Sequence, residues 1–536
     1  MVEQLIRNQQ VAGSIPIAGS SPFLNPVIAE YGNSCLHEIP SFFFSMRILG
    51  LFFLVLFPIS LHSAFALETP LSLSKAIDIA LENNLMLRAE KEKVHLLKAA
   101  ESIEAAQFDS TLLVNAKTKQ QSRGITSLLE TGFTAQQQIE QEEISFGLGW
   151  KKPMRWGGEY GLTLRPIRTD STFQATHPTY QGDLFFSVNQ PLLRGFGQTK
   201  QGRLKIAHTE VAISHQMFYA RVAEMIQKII FHYWELVFER ENLTAQQASL
   251  ERANTLLELN KTKVKLGLLA PIEILVAEVS VAKREESVIV AKKKMHDIEG
   301  ELLSLLGGEN AESRFPGGIL PTDRPVDREI HFDQNDLFER AKGRPDIQAQ
   351  ALRIQTAALS FAIAKNQTRP TLDFIGVIGQ NGVGQRLTES FDQLTSGDFY
   401  LWEAGLVFEY PLGNKAAHAA LEKEKAAENQ VKIEALKLIQ QVRLDLSEGV
   451  RRIEADYQRI LATRRALELA KKQHLAGEER FRLGLLAGHD LVAFQNEVVE
   501  AEVKALRAIT DYNQSLANLD HVTGTLLDQY KVPLHQ

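Results

Sequence analysis

The chain has 536 residues, 44% of them hydrophobic and 23% charged, a composition that excludes a disordered or low-complexity polymer and leaves room for two or more domains. Its formal net charge is −6 and its pI is near 6.2, so it lacks the basic excess that nucleic acid selects, and no nucleic-acid partner is expected.

Residues 46–66, MRILGLFFLVLFPISLHSAFA, carry one arginine, a long apolar run and an A-x-A ending at Ala64 and Ala66. This is the pattern of a secretory signal peptide. It sets the expected start at Met46 and reads residues 1–45 as a start-site artefact, with a genuine extension as the alternative. Cys35, the single cysteine, lies in that region, so the expected mature chain has no thiol, as suits an oxidising envelope compartment. No later segment offers the ~20 consecutive apolar residues of a membrane helix. Membrane entry would therefore take the form of a β-barrel, because only helices and closed barrels satisfy the backbone in lipid.

The mature chain reads as a duplication. An offset of 217 residues places Gly267 on Gly484, Glu273 on Asp490 and Gly307 on Gly524, and an offset of 260 places Ala89 on Ala349 and Leu112 on Leu372. The halves are 67–325 and 326–536, with the same order of elements. Each opens with a helical pattern, 74–107 and 333–367. Alternating segments follow, within 111–190 and 371–410. TLLVNAK puts Leu112, Val114 and Ala116 on one face, DLFFSVN puts Leu184, Phe186 and Val188 on one face, and LWEAGLVFEY sets Trp402, Ala404, Leu406, Phe408 and Tyr410 against Glu403, Gly405 and Glu409. Lipid-facing strands and half-buried soluble strands both read this way.

Long uninterrupted helices come next, 203–266 and 415–482, each about 100 Å at 1.5 Å per residue. The stretch KLGLLAPIEILVAE follows the first and RLGLLAGHDLVAFQ the second. Gly267 and Gly484 suit helix C-termini that need positive φ, and Pro271 suits the first turn of a returning helix. The return helices, 271–306 and 489–526, cover half the distance, and the opening helices are long enough to complete it end to end. LGLLA is thus a hairpin tip far from the strands.

The paired halves, the QPLLRGFG and YPLG segments, the two LGLLA tips and the closing DYNQSLANLDHVTG resemble the outer membrane efflux protein family, the TolC-like exit ducts. The resemblance implies a mainly α fold with a β-barrel contribution: a homotrimer whose long antiparallel helices form a hollow periplasmic α-barrel. Four strands per chain would build a shared twelve-stranded barrel in outer-membrane lipid. It implies an equatorial region at 307–332 and the C-terminal tail, docking to a periplasmic membrane-fusion adaptor and an inner-membrane transporter, and location in the outer membrane reaching into the periplasm. Cargo would be drugs, metals or secreted proteins, with no cofactor, no bound metal and no enzymatic activity. Strand physics independently asks for an oligomer, because four strands cannot close a barrel and edges cannot stay open in lipid.

Two features depart from the family pattern. ISFGLGW (144–150) and EYGLTLR (159–165) form an additional alternating pair joined by a turn at Gly157 and Gly158. It either extends a hairpin outside the membrane or adds barrel strands; the extracellular hairpin is the expectation, since the second half lacks an equivalent. At the second tip, Asp490 matches the first acidic position that narrows the family's periplasmic opening, but one helical turn later stands Ala493.

Asp490 and, in the first half, Glu273 are therefore the candidate aperture residues, three carboxylates around an axis making a cation-selective constriction. The plain alternative is a carboxylate favoured in a helix's first turn. Leu266, Leu268, Leu269, Leu483, Leu485 and Leu486 are candidate adaptor contacts, or else hairpin packing. Pro191 and Pro411 mark strand-to-helix kinks, since proline cannot continue a ladder, and His232, Tyr233 and Trp234 read as core. No nucleophile elbow, P-loop or zinc-helix motif is present. The alternative function is a periplasmic coiled-coil scaffold without channel activity, which would not need an apolar outward face on every strand.

Overall fold

The computed structural model describes residues 68–124, 138–173, 178–307 and 311–532, all within one compact unit, 65–536. The expected signal peptide at 46–66 and residues 1–45 lie outside the described residues.

Two helical hairpins dominate. In the first, α3 (Gly202–Lys265) runs 64 residues to the tip and α4 (Ile272–Leu306) returns over 35. In the second, α8 (Lys415–Arg482) runs 68 residues and α9 (Gly488–Thr523) returns over 36. The opening helix of each half, expected as one piece, is broken in two. In the first half α1 (Leu73–Asn83) and α2 (Leu85–Ala106) meet at Asn84, which leaves the helical region at ψ 122° and caps α2 by accepting from Met86 N and Leu87 N. In the second half α5 (Gln334–Ala341) and α6 (Pro345–Gln367) are separated by Lys342, Gly343 and Arg344, with Pro345 opening α6. Proline is preorganised for a first helical turn and excludes helix before it.

Those breaks are where the composite struts join. Asn84 Nδ2 donates to Leu305 O at the end of α4 (2.8 Å), and Arg344 Nη1 donates to Val522 O at the end of α9 (3.1 Å). Gly307 and Gly524 close the return helices at φ 76° and 78°, and the backbone of Asn83 and Asn84 crowds Gly307 so closely that no side chain fits. The helices then form one layer. α3 lies between the α2–α4 strut and the α6–α9 strut, and α8 packs on the far side of the second strut.

A single antiparallel sheet caps this layer, in the order β2 (Thr111–Gly124), β3 (Gln138–Pro153), β4 (Glu159–Ser171), β5 (Thr179–Pro191), β7 (Thr371–Gly384), β8 (Tyr400–Glu409). The sheet has six strands where four per chain were expected, and the 144–150 and 159–165 segments lie within two of them. β3 pairs with β2 along its whole length, from Thr111↔Lys151 to Gly124↔Gln138, and β4 pairs with β5 from Glu159↔Asn189 to Thr169↔Thr179. The 154–158 turn therefore lies at the helix end, where β2 begins and β5 ends. The physical reason is ladder completion: each inserted strand has a partner on both sides, interrupted between β3 and β4 only at Phe146 and Gly147 opposite Arg165 and Pro166. A short helix, α7 (Leu387–Ser396), links β7 to β8.

Around the middle, β1 (Thr69–Leu71) pairs in parallel with β6 (Ile319–Pro321). Here Ile226, Ile229, Tyr233 and Leu236 of α3 are buried with Ile77 and Ala80 of α1, Leu302 and Leu306 of α4, and Ile319. A second cluster joins Val442, Ile453 and Ile460 of α8 to Tyr512 and Leu519 of α9 and Leu337 of α5. Each such buried aliphatic stabilises by about 1.5–3 kcal/mol relative to exposure, which anchors the struts at mid-length.

Candidate functional site

Strand register decides which residues share a face. Following the pairs outward from Leu112 gives Trp150, Leu162, Phe186, Ile378 and Trp402 as one row, and from Val114 gives Leu148, Leu164 and Leu184 as the next. Leu112, Val114, Phe146, Trp150, Leu162, Phe186, Ile378, Trp402, Leu406 and Phe408 are all large apolar side chains exposed on that one face. It spans every strand. At about 3.4 Å per residue the band from Ile144 to Trp150 runs about 20 Å along the strand. Further from the helices the same face becomes charged, where Arg168 pairs with Glu142 and Asp170. There α7 rests on the sheet: Cβ atoms added to Gly182, Gly382 or Gly384 would meet Leu394, Ser390 and Glu389.

The opposite face carries Asn115, Lys117, Lys119, Thr163, Arg165, Asp183, Ser187, Asp373 and Glu403. Arg165 bridges to the buried Asp183 at 2.8 Å, and Gln181 donates to the same carboxylate at 2.9 Å. The same face also carries Leu113, Leu401 and Val407, so it is mixed, whereas the first face is continuously apolar across all six strands, as a lipid-facing surface would be.

Both prolines stand where strand gives way to the connection before a long helix, Pro411 two residues after β8 ends at Glu409. Pro191 ends β5, paired with Asp373. The bends that follow use Gly195, Gly197 and Gly413 at positive φ, with Asn414 at φ 41°. Gly195 N donates to Asn366 Oδ1 and Asn414 Nδ2 donates to Thr368 O, so both bends hang from the end of α6.

The two tips share one geometry. Gly267 N donates to Val264 O and Leu268 N to Lys263 O; Gly484 N donates to Phe481 O and Leu485 N to Arg480 O. Each is a Schellman closure with the glycine at positive φ, 71° and 74°, the conformation a Cβ penalises. The closure splits the six leucines. Leu266, Leu268, Leu483 and Leu485 are each about two-thirds exposed (65–68%). Leu269 and Leu486 turn inward onto Leu256, Phe481 and Leu491.

The two acidic candidates also part company. Asp490, in the first turn of α9, keeps 42% of its side chain exposed and lies 3.2 Å from His489 Nε2. Glu273 faces the other hairpin instead. Its Oε2 is buried without a hydrogen-bond partner, in the space a side chain on Gly488 would need, and Asn260 Nδ2 donates to its carbonyl.

Several residues that tie the hairpins together escaped sequence reading. Arg284 of α4 is buried and donates to Ser249 Oγ (2.8 Å), to Ser280 and to Asn496 Oδ1 of α9 (2.9 Å); burial pulls its pKa below the ordinary guanidinium value. Lys263 sits over the Phe481 ring at 4.3 Å, and Arg507 grips Glu235 at 2.7 and 2.9 Å. At mid-length the Tyr233 hydroxyl donates to Asp323 Oδ2 (2.6 Å), accepts from Thr322 N and lies 3.0 Å from Leu71 O. Burial, with the Asp323 carboxylate beside it, pushes that hydroxyl up to about 12. An arginine or lysine inside a long helix has no local signal for these roles, because the partner on the other hairpin lies more than two hundred residues away.

Among the described residues no helix is long and apolar enough to cross a membrane, which says nothing of a barrel, and no cluster of three potential metal ligands occurs.

The structure is similar to that of the outer-membrane channel OprN, with a TM-score of 0.64 and 15% identity, covering 84% of this chain and 89% of that one. It is similar to the Campylobacter jejuni CmeC outer membrane channel, with a TM-score of 0.61, 14% identity and coverage of 84% and 85%. It is also similar to the outer membrane protein VceC of Vibrio cholerae, with a TM-score of 0.60, 16% identity and coverage of 84% and 96%. No protein-family model and no curated protein matches the sequence. At these identities the likeness establishes the fold, that of the TolC-like outer-membrane channels, mainly helical with an antiparallel sheet.

Proposed function

We propose that the chain is an outer-membrane exit duct, a passive homotrimeric channel serving a tripartite efflux or type I secretion system. In this reading the sheets of three copies close a barrel in outer-membrane lipid, and the helices enclose a periplasmic tunnel. A membrane-fusion adaptor and an inner-membrane transporter dock from below, and the duct contributes passage with no chemistry or cofactor of its own.

One observation carries it: all six strands present large apolar side chains to a single exposed face. A periplasmic scaffold has no use for such a face, since exposed apolar patches of this extent mark a membrane or partner surface. The resemblance of the tips and strand-helix segments to exit ducts, and the likeness to solved outer-membrane channels, support the same reading. Asp490 is the candidate aperture carboxylate, and Leu266, Leu268, Leu483 and Leu485 are the candidate adaptor surface. Glu273, the other aperture candidate, is held in the seam between hairpins, which favours Asp490 for that role.

The test is the mass of the detergent-extracted complex from an outer-membrane fraction, with its N-terminus sequenced. Three protomers beginning at or near Leu67 are expected. A soluble monomer or dimer would overturn the duct and favour the scaffold.

A further inference from the structure

We infer that the barrel built by this chain has six strands per protomer and eighteen in the trimer, formed by pairing the β2 edge of one copy with the β8 edge of the next. The inference rests on the exit-duct reading and goes beyond it, because the pattern implied by sequence resemblance has twelve.

The sheet and the helical layer run in the same order. α2 leads into β2, β5 into α3, α6 into β7, and β8 into α8, so each long strut stands under its own strand. β3 and β4 are inserted between β2 and β5, with no strut beneath them. Their turn is nonetheless fastened at the helix end. Lys152 Nζ donates to Phe108 O where α2 passes into β2 (2.9 Å), Gly197 N donates to Trp156 O where β5 passes into α3 (2.9 Å), and Trp156 Nε1 donates to Gln190 Oε1 (3.1 Å). A Cβ on Gly157 would stand 2.3 Å from Gly195 O, so the turn lies against that bend. Ile144, Phe146, Leu148 and Trp150 then continue the apolar band through β3 at the level of Leu112 and Val114 in β2. The inserted pair thus crosses the same layer as the other strands.

The occupant of the free edges follows from hydrogen bonding. Among the described residues β2 and β8 are the outer strands of the sheet, so each has an edge of backbone groups within the apolar band to which lipid offers no partner. They cannot pair with each other inside one chain, since the smallest membrane barrels have eight strands. They run in opposite directions, and their apolar residues, Leu112 and Val114 on one and Leu406 and Phe408 on the other, lie on one face of the sheet. A second copy of this chain satisfies both edges and continues the lipid face without a break.

The widths agree. Six strands at about 4.8 Å spacing and ~40° tilt span about 38 Å of circumference, and four struts at 8–10 Å separation span about 32–40 Å. Four strands at the same tilt would span only about 25 Å. The inserted pair lets the outer-membrane barrel continue the helical tunnel at its own width, with a backbone radius of about 18 Å where twelve strands would give about 12 Å.

The sequence from residue 68 onward contains no cysteine, which permits single-site labelling. In intact cells carrying Arg155→Cys in a Cys35→Ser background, an impermeant maleimide is expected to leave residue 155 unlabelled until the outer membrane is permeabilised, whereas Asp398→Cys, in the β7–β8 connection at the far end, labels at once. Cysteine pairs scanned between Asn115 or Lys117 of β2 and Gly405 or Val407 of β8 are expected to give a cross-linked ladder ending at three protomers. Labelling of residue 155 from outside, or a trimer in which no β2–β8 pair cross-links, would overturn the eighteen-stranded barrel while leaving the duct standing. A soluble monomer would overturn both.

Discussion

Glu273 Oε2 lies 2.3 Å from the point where a Cβ on Gly488 would stand, so the first hairpin's carboxylate occupies the room left by the second hairpin's glycine. Gly488 opens α9, whose N-cap residue, Ala487, makes no side-chain cap bond. The Glu273 side chain therefore packs against the N-terminus of α9, where acidic groups are favoured, alongside Asp490 of that helix's own first turn. Glu273→Gln is expected to weaken the tip by about 0.3–1 kcal/mol, read as faster amide exchange at residues 488–491. Gly488→Ala should cost less in a Glu273→Ala background than alone, as contacting residues are non-additive; strictly additive costs would remove the contact.

The tip glycines should not tolerate a Cβ. Gly267→Ala and Gly484→Ala each place an alanine at positive φ and should destabilise the turn by about 1–2 kcal/mol. Gly300→Ala, near the end of α4 but still inside it and with open space around it, should stabilise by about 0.5–1 kcal/mol. Chemical denaturation of the three variants side by side checks the contrast, and equal effects would mean that φ is not what selects glycine at the tips.

Tyr233 predicts an alkaline limit. Its hydroxyl titrates near 12 in the folded chain against 10 unfolded, so above pH 10 the unfolded state releases a proton that the folded state keeps. Stability is whole below pH 10 and falls as pH rises toward 12. Tyr233→Phe should flatten that slope and cost about 1–3 kcal/mol at neutral pH through the unsatisfied Thr322 N–H. Tyr530 is raised to about 12 as well, by burial, so some slope should persist in the variant; an unchanged slope would clear Tyr233 of any part in it.

At the aperture, Asp490→Asn removes one carboxylate per protomer while keeping its shape. Cation selectivity in planar-bilayer recordings should fall, and block by multivalent cations should weaken at least several-fold if a ring of carboxylates forms the constriction. Selectivity equal to the parent's would reduce Asp490 to a helix-terminus charge.

Adaptor docking is tested where leucines are exposed. Leu268→Asp with Leu485→Asp should abolish export and leave the trimer intact, since neither side chain belongs to the tip's buried cluster. Leu269→Asp, which strikes that cluster, should loosen the hairpin itself. Retained export in the double variant would exclude these leucines as the docking surface.

Much of the fold is legible in the chain because its signals are local. Proline and glycine are missing from 203–266 and proline from the whole of α8, LGLLA closes both hairpins, and alternation in LWEAGLVFEY already names the face on which register places Trp402, Leu406 and Phe408. The breaks at Asn84 and Arg344 carry weaker cues, an Asn-Asn pair and a Gly-Arg-Pro, whose meaning depends on Leu305 and Val522 standing opposite. Alternation in 144–150 and 159–165 reads as strands, but nothing local says which neighbours they take.

The sequence by itself determined the duplicated order of elements, the lengths of the struts and the polarity of each strand, because periodicity, turn chemistry and helix-breaking residues act over a few positions. Tertiary structure alone decided that β3 and β4 enter the main sheet, that Glu273 turns into the seam while Asp490 stays half-exposed, and that four of the six tip leucines point outward. Those outcomes depend on hydrogen-bond partners and packing spaces supplied by segments far along the chain, and a ladder or a cavity exists only once both sides are in place.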